Sequence, residues 1–234
     1  MIGSLKKDFS LNIKTKRVAQ KDVDKYSAAS ENPYLVSFPR TGSHWLRMLS
    51  ELYSERPTLV RPFHYQDSTD YLYRHHHDVD LNLRRENVVY LYREPIATVY
   101  SQLTYESSPL DCETSIRKTT EMYARHVDKW LCCESFTTRK TVLNYEKLQT
   151  DLVTEFRKLT DHLGLPFDGK RLASVSAQIT KARVKEKTAQ HDDKVVNQSA
   201  DYADQRKVFN EKHQTLIWSV MLDTRPNLAK YFGR

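Results

Sequence analysis

A short polar turn with one arginine and one glycine follows the first apolar run of the chain. The run covers residues 34–38, and the turn behind it contains Arg40, Gly42 and Ser43. Apolar residues then recur at helical spacing over residues 45–53. A strand that passes through a tight turn into a helix directs free backbone N–H groups and the positive end of the helix dipole to one point. The sequence therefore predicts a phosphate-binding strand-turn-helix.

Side chains of the turn strengthen this predicted anion site. Gly42 lets the backbone approach a ligand closely, and Arg40 adds a planar, permanently charged group. Further side-chain donors come from Thr41, Ser43 and His44. The ATP-type loop G-x-x-x-x-G-K-[ST] is absent, because the loop is short and its basic residue precedes the glycine. This difference disfavours a generic ATPase or GTPase.

Other apolar runs predict the architecture around the turn. A second run at residues 87–92 leads through Arg93 to Pro95, which suits the first turn of a helix because its missing N–H leaves no bond unmade. Further predicted elements are a strand at residues 141–143 and helices at residues 113–135, about 151–163 and about 200–222. Short apolar strands that alternate with amphipathic helices predict an α/β fold, with a central parallel sheet flanked by helices.

Length and composition are those of a globular protein. The chain has 234 residues, of which 39% are hydrophobic and 29% charged, so we expect residues 1–234 to form a single domain. Residues 1–30 are expected to be a polar lead-in, and the basic stretch at residues 181–200 a lid or loop. No apolar run is long enough to span a membrane and the N-terminus does not resemble a secretory signal, which favours a cytoplasmic location.

Net charge alone does not identify the ligand class, and the histidines are not expected to form a metal site. The net charge of +7 favours anionic partners without choosing among nucleotides, nucleic acids and acidic glycans. The most histidine-rich stretch is His75, His76 and His77. Consecutive side chains on a strand alternate between its two faces, so these three cannot all reach one ion. We therefore expect no metal site.

Three segments resemble motifs of one enzyme family. Residues 37–45 read S-F-P-R-T-G-S-H-W, and residues 88–95 read V-V-Y-L-Y-R-E-P with Ser101 about two helical turns on. Residues 143–148 read L-N-Y-E-K-L. In this order, the segments resemble the phosphosulfate loop, the 3′-phosphate motif and the Y-E-D-L segment of sulfotransferases of the cytosolic and bacterial type. These enzymes use 3′-phosphoadenosine 5′-phosphosulfate (PAPS) as donor and release 3′-phosphoadenosine 5′-phosphate (PAP).

The resemblance implies a role for each matching residue. The 5′-phosphosulfate and the adenine would lie against the turn, and Arg93 and Ser101 would hold the 3′-phosphate. Tyr145 would lie near the adenine. Arg40 replaces the more common lysine of the family at the bridging oxygen, where it would act through its charge. The residues of the turn that the resemblance assigns to the nucleotide are Arg40, Thr41, Gly42, Ser43, His44 and Trp45.

The resemblance also places a general base between the two phosphate motifs, where a neutral imidazole would take the proton of the acceptor hydroxyl. The usual order of the family maps onto Arg74, His75 and His76, whereas a [T/S]-H-D order maps onto His76, His77 and Asp78. On a strand, His75 and His77 share one face and His76 lies on the other. We favour His77 as the base with His75 beside it, and His76 is the alternative.

Other functions and the acceptor stay open at this point. Alternatives are a P-loop-type nucleotide or small-molecule kinase, a basic nucleic-acid-binding module, and a protein that binds PAP without catalysis. For the sulfotransferase, no nucleic-acid partner is expected. Its acceptor would be a small molecule, a saccharide or a glycolipid with a hydroxyl or amine group. Candidate pocket-lining aromatic residues are Phe63, Tyr65, Tyr71, Tyr73 and Tyr105.

Overall fold

A parallel sheet forms the centre of the protein in a computed structural model, which describes residues 18–189, 194, 196 and 201–234. Within these residues the sheet has four strands, all parallel, in the order β2-β1-β3-β4. The strands are β1 (Tyr34–Ser37), β2 (Arg74–His76), β3 (Asn87–Tyr92) and β4 (Arg139–Asn144). Central β1 pairs Leu35 with His75 on one side and with Val89 on the other.

Helices cover both faces of this sheet. Alternate residues of β1 enter different cores: Leu35 belongs to one apolar cluster, and Tyr34 and Val36 belong to the other. This arrangement confirms the predicted α/β fold with a central parallel sheet. The helices are α1 (Gln20–Ala28), α2 (Ser43–Ser54), α3 (Pro95–Tyr105), α4 (Glu113–Val127), α5 (Tyr145–Thr150), α6 (Leu152–Leu163), α7 (Gly169–Ser176), α8 (Lys181–Ala189) and α9 (Tyr202–Leu222), with a π-helical turn at Asp128–Cys132 and a 3₁₀ helix at Pro226–Tyr231.

Several predicted boundaries lie close to the observed ones. The strand at residues 87–92 is confirmed, and the first strand ends at Ser37, one residue before the predicted end. Gly164 ends α6 with a left-handed φ of 66°, a conformation that glycine adopts without strain. The predicted helix at residues 113–135 is shorter, because α4 gives way to the π-helical turn after Val127.

The segment expected to be a lid or loop is partly helical. Val184 and Thr188 are buried one turn apart on α8, so this stretch packs against the core even though most of its residues are polar. Of residues 190–200 only 194 and 196 are described, and residues 1–17 of the expected lead-in lie outside the described residues. Among the described helices, none has both the length and the apolar character that a membrane crossing requires.

Candidate functional site

A cavity of about 730 Å³ opens beside the carboxyl ends of the central strands. Of the residues predicted to form the site, all but Thr41 and His76 line it. In a parallel α/β sheet, ligands bind at this edge, where strand ends and helix starts meet. The predicted site residues that line the cavity are Arg40, Gly42, Ser43, His44, Trp45, His75, His77, Arg93, Ser101 and Tyr145.

The turn between β1 and α2 forms one wall of the cavity. Gly42 is the N-cap of α2 with a φ of 93°, and it has no side chain to cap the first N–H groups of the helix. A Cβ atom at Gly42 would lie 2.3 Å from Cε2 of Tyr145, so only glycine fits under this ring. The Thr41 hydroxyl donates to the Phe38 carbonyl over 2.8 Å, so its proton is engaged inside the turn. The helix start is therefore left open toward the cavity for an anion.

Residues that the sequence assigns to two anion sites are in direct contact. Arg40 Nε donates a hydrogen bond to Ser101 Oγ over 3.1 Å, and Arg93 Nη1 donates to the Arg40 carbonyl over 3.0 Å. Ser101 is on α3, whose start is held by its N-cap Glu94. Side-chain oxygens of Glu94 accept from the N–H groups of Ile96 and Ala97. The capped helix thus fixes Ser101 opposite the turn.

Tyr145 connects the turn to Arg93. Its ring lies against Gly42, and the Arg93 guanidinium lies over the same ring at 4.6 Å from the centroid. Arg93 Nε is buried without a hydrogen-bond partner among the described residues, and the nearest carboxylate oxygen, on Glu146, is 3.9 Å away. A buried N–H donor without a partner is costly, so this atom is poised to donate to a ligand.

The three consecutive histidines separate onto two sides of β2. The rings of His75 and His77 meet edge to face with centroids 4.5 Å apart, and both line the cavity. His76 does not line it, and its Nδ1 accepts from the Asp78 N–H over 2.8 Å. The geometry follows the alternation of a strand. The strand itself ends at His76, and two residues later Asp78 has a left-handed φ of 47°.

Hydrogen bonds fix the tautomer of His77. Its Nδ1 lies 2.8 Å from the Ser37 carbonyl oxygen, which can only accept, so Nδ1 carries the proton. A neutral His77 therefore has its lone pair on Nε2. His75 Nε2 is within 3.1 Å of the Ser37 hydroxyl, so both rings are anchored at the end of β1.

A second layer of side chains supports His77, and the sequence analysis missed it. His126 Nε2 donates to the His77 carbonyl over 2.7 Å, and His126 Nδ1 accepts from the Tyr90 hydroxyl over 3.0 Å. Asp78 is buried and accepts from Lys129 Nζ at 2.6 Å and from Trp130 Nε1 at 3.0 Å. The available signal was spacing, because His126 and Trp130 are one helical turn apart on the apolar side of the predicted helix.

Burial keeps the imidazoles of the site neutral. It lowers the pKa of His77 and of His75, and neighbouring cations such as Arg47 lower both further, whereas the hydrogen bond to the Ser37 carbonyl raises the pKa of His77. Burial, with Arg47 next, lowers the pKa of His44 to about 3. A neutral histidine with a free Nε2 lone pair can accept a proton from a hydroxyl group near pH 7.

Most of the other residues that line the cavity are apolar. Phe63 and Tyr105 line it, as the sequence suggested, and the Tyr105 ring lies 4.9 Å from the Arg40 guanidinium. Tyr65, Tyr71 and Tyr73 are not among the lining residues, and Tyr73 is fully buried in the core. The other apolar lining residues here are Leu59, Val60, Ile179, Val184 and Val196.

Comparisons with known proteins agree with this geometry. The family model described as the sulfotransferase domain matches residues 71–228, which include the histidines, Arg93, Ser101 and Tyr145. No curated protein sequence matches the chain.

Two solved structures have the same fold. Mouse sulfotransferase SULT7A1 complexed with PAP has a TM-score of 0.58 and 15% identity over 91% of this chain and 92% of its own. Retinol dehydratase, in complex with androsterone and the inactive cofactor PAP, has a TM-score of 0.55 and 12% identity over 87% of this chain and 84% of its own.

Proposed function

Because the chain belongs to the sulfotransferase family, we propose that it transfers a sulfuryl group from PAPS to a hydroxyl or amine group of a small acceptor. The proposal rests on the residues that line one cavity. It is lined by an open helix start, by Arg40 bonded to Ser101, by Arg93 bonded to the Arg40 carbonyl, and by a histidine whose lone pair is on Nε2. Both structural relatives named above contain PAP, which supports this donor.

The residues of the cavity fit a nucleotide with two phosphate positions. The start of α2 with Gly42 and Ser43 suits the 5′-phosphosulfate, since it offers N–H groups without a cap. Arg93 and Ser101 suit the 3′-phosphate, since the Arg93 Nε donor is buried and lacks a hydrogen-bond partner among the described residues. Arg40 is in the turn before Gly42 and donates to Ser101, so we place it between the two proposed phosphate positions.

The proposed chemistry is an in-line displacement at sulfur. His77 Nε2 removes the proton of the acceptor hydroxyl while its oxygen forms a bond to sulfur. The bond between sulfur and the bridging phosphate oxygen breaks, and its electron pair leaves with PAP. Arg40 stabilises the charge that develops on this oxygen, without giving up a proton, because the pKa of a guanidinium is far above neutrality. The proton on His77 then passes to solvent.

Transfer of label from PAPS with ³⁵S in the sulfuryl group is the direct test. Incubation with a panel of phenols, sugars, glycolipids and amines is expected to give a labelled product that depends on both enzyme and acceptor. Transfer from ATP labelled in its γ-phosphate, with none from PAPS, would instead identify a kinase. Tight binding of PAP without transfer to any acceptor would identify a non-catalytic binding protein.

A further inference from the structure

One wall of the cavity is a loop that α2 holds in place, and we call residues 58–64 the acceptor loop. Carboxylate oxygens of buried Glu51 accept from the N–H groups of Thr58 at 3.1 Å, Phe63 at 2.8 Å and His64 at 2.7 Å. Three backbone bonds to the carboxyl group of one residue fix both ends of the loop. The loop therefore presents a defined surface to the cavity.

A buried arginine holds the middle of the same loop. Arg47 donates to the Thr58 hydroxyl from Nη2 at 3.0 Å, and also to the Arg61 carbonyl. Thr58 in turn donates to Glu51, so this hydroxyl links the guanidinium of Arg47 to the carboxyl group of Glu51. Val60 has a φ of 91°, which is rare for a β-branched residue and costs free energy. The backbone of Arg61 is thus fixed, although its side chain is exposed.

The charges that line the cavity are all positive. Its described lining contains no Asp or Glu. Arg40 and Arg93 belong to the proposed nucleotide site, and Arg47 is committed to the acceptor loop. Lys181 lies on the side of α3, because its Nζ is 5.7 Å from the ring centroid of Tyr202, which packs on α3. The cationic lining residues are Arg40, Arg47, Arg61, Arg93 and Lys181.

Of the cationic lining residues, Arg61 is the one we assign to the acceptor. In the described part of the chain, no carboxylate lies within 4.0 Å of its guanidinium. Its loop neighbours Leu59, Val60 and Phe63 provide an apolar surface in the same cavity as His77. The Arg61 side chain is close enough to His44 to make a small contribution to its lowered pKa, after burial, Arg47, His77 and Arg40.

We infer that the acceptor is a hydroxylated, largely apolar acid whose anionic group pairs with Arg61. The hydroxyl lies at His77, and the apolar body packs on the acceptor loop. This inference rests on the proposed function and adds the chemical class of the acceptor. An arginine binds a carboxylate through two parallel hydrogen bonds, which gives orientation as well as affinity.

Matched acids and esters test the inference. We would compare para-hydroxybenzoate and para-hydroxyphenylpropionate with their methyl esters, at saturating PAPS. The wild type is expected to prefer the acids in kcat/KM by roughly tenfold, mainly through KM. Arg61→Ala should abolish this preference, and Arg61→Lys should retain most of it. Arg61→Glu should favour the amine of the same shape, tyramine.

A remote variant controls for net charge. Arg117 is exposed on α4 and pairs with Glu113 at 2.7 Å, so Arg117→Ala removes one positive charge away from the cavity. It should leave the preference for acids unchanged. All variants should bind PAP with wild-type affinity, because Arg61 does not belong to the nucleotide site.

The outcomes separate this inference from the proposed function. Equal kcat/KM for acids and esters in the wild type, or an unchanged preference in Arg61→Ala, would overturn the inference while sulfuryl transfer to the esters upholds the function. If the wild type neither binds PAP nor transfers label, the proposed function itself is wrong. If PAP binds but none of these compounds is sulfated, we would measure the binding of acid and ester to the PAP complex by calorimetry. Equal affinities for acid and ester, or no binding of either, would overturn the inference.

Discussion

His77 Nδ1 donates a hydrogen bond to the Ser37 carbonyl over 2.8 Å, which ties the end of β2 to the end of β1. The bond leaves the lone pair of a neutral His77 on Nε2, which is the atom proposed to accept the proton. Buried His126 also donates to the His77 carbonyl, which adds a second contact that positions His77. A base with a fixed tautomer and a neutral ring is what proton removal from a hydroxyl requires.

Substitution of the three histidines tests this assignment. His77→Ala should lower kcat by roughly 10²–10⁴, the range for loss of a general base, while PAP affinity stays near the wild-type value. His76→Ala should cost much less, because His76 does not line the cavity. Single-turnover rates with labelled PAPS give the comparison. Loss of turnover in His76→Ala alone would reverse the face assignment, and normal turnover in all three alanine variants would place the base elsewhere.

Buried histidines make the protein less stable in acid. Burial lowers the pKa of His126 to about 3, well below the usual value of about 6.5 for a histidine. Between pH 6.5 and pH 3, His126 therefore binds a proton in the unfolded chain but stays neutral in the native state. The free energy of unfolding should fall by roughly 1.4 kcal/mol per pH unit for this one group. This contribution is complete above pH 6.5 and is lost as the pH falls toward 3.

A matched variant isolates the histidine from other groups. His126→Gln should flatten the fall in unfolding free energy below pH 6.5 by about that slope in urea titrations. Glu51 changes the unfolding free energy with pH in the opposite direction, because burial raises the pKa of its carboxyl group to about 7. It is present in both proteins and cancels in the comparison. Equal pH slopes for wild type and variant would show that His126 is not held neutral.

Arg40 is expected to act through its charge. Arg40→Ala should lower the rate of the chemical step strongly, and Arg40→Lys should retain substantial activity, because a cation at the leaving oxygen is what stabilises it. The bond from Arg40 to Ser101 predicts in addition that PAP affinity falls in Arg40→Ala. Single-turnover transfer and PAP titration measure the two effects. An unchanged transfer rate in Arg40→Ala would remove this residue from the mechanism.

Gly42 is expected to tolerate no side chain. Gly42→Ala adds a Cβ atom that meets the Tyr145 ring at 2.3 Å, so the ring must move, and we expect PAP affinity to fall at least about tenfold. Gly164→Ala is the control, because Gly164 also has a positive φ but a Cβ there meets no atom within 4 Å. Both variants should lose about 1 kcal/mol of stability from backbone strain. Equal PAP affinity in the two variants would contradict the proposed role of the turn.

The sequence predicts the sheet and most of the residues that line the cavity. It does not predict the buried hydrogen bonds that hold those residues in place. Apolar runs and turn residues specify β1, β3 and the open start of α2, because those features depend on neighbours in sequence. The network around Glu51 was not predictable in this way. Its partners are backbone N–H groups of a distant loop, and a charged residue in an amphipathic helix pattern normally indicates the solvent face. Likewise, alternation separates His76 from His77, but only tertiary contacts show that His126 supports the latter.

Binding of PAP compared with binding of AMP and ADP decides whether the protein uses PAPS. PAP should stabilise the protein far more than AMP or ADP at equal concentration, because only PAP supplies a phosphate for Arg93 and Ser101. At a concentration of about 100 times its Kd, a ligand adds about 2.7 kcal/mol, which raises Tm by roughly 5–10 °C in a protein of this size. Arg93→Ala should reduce the shift with PAP to that with AMP. Equal Tm shifts with PAP and AMP in the wild type, together with a silent Arg93→Ala, would contradict a PAPS-dependent sulfotransferase.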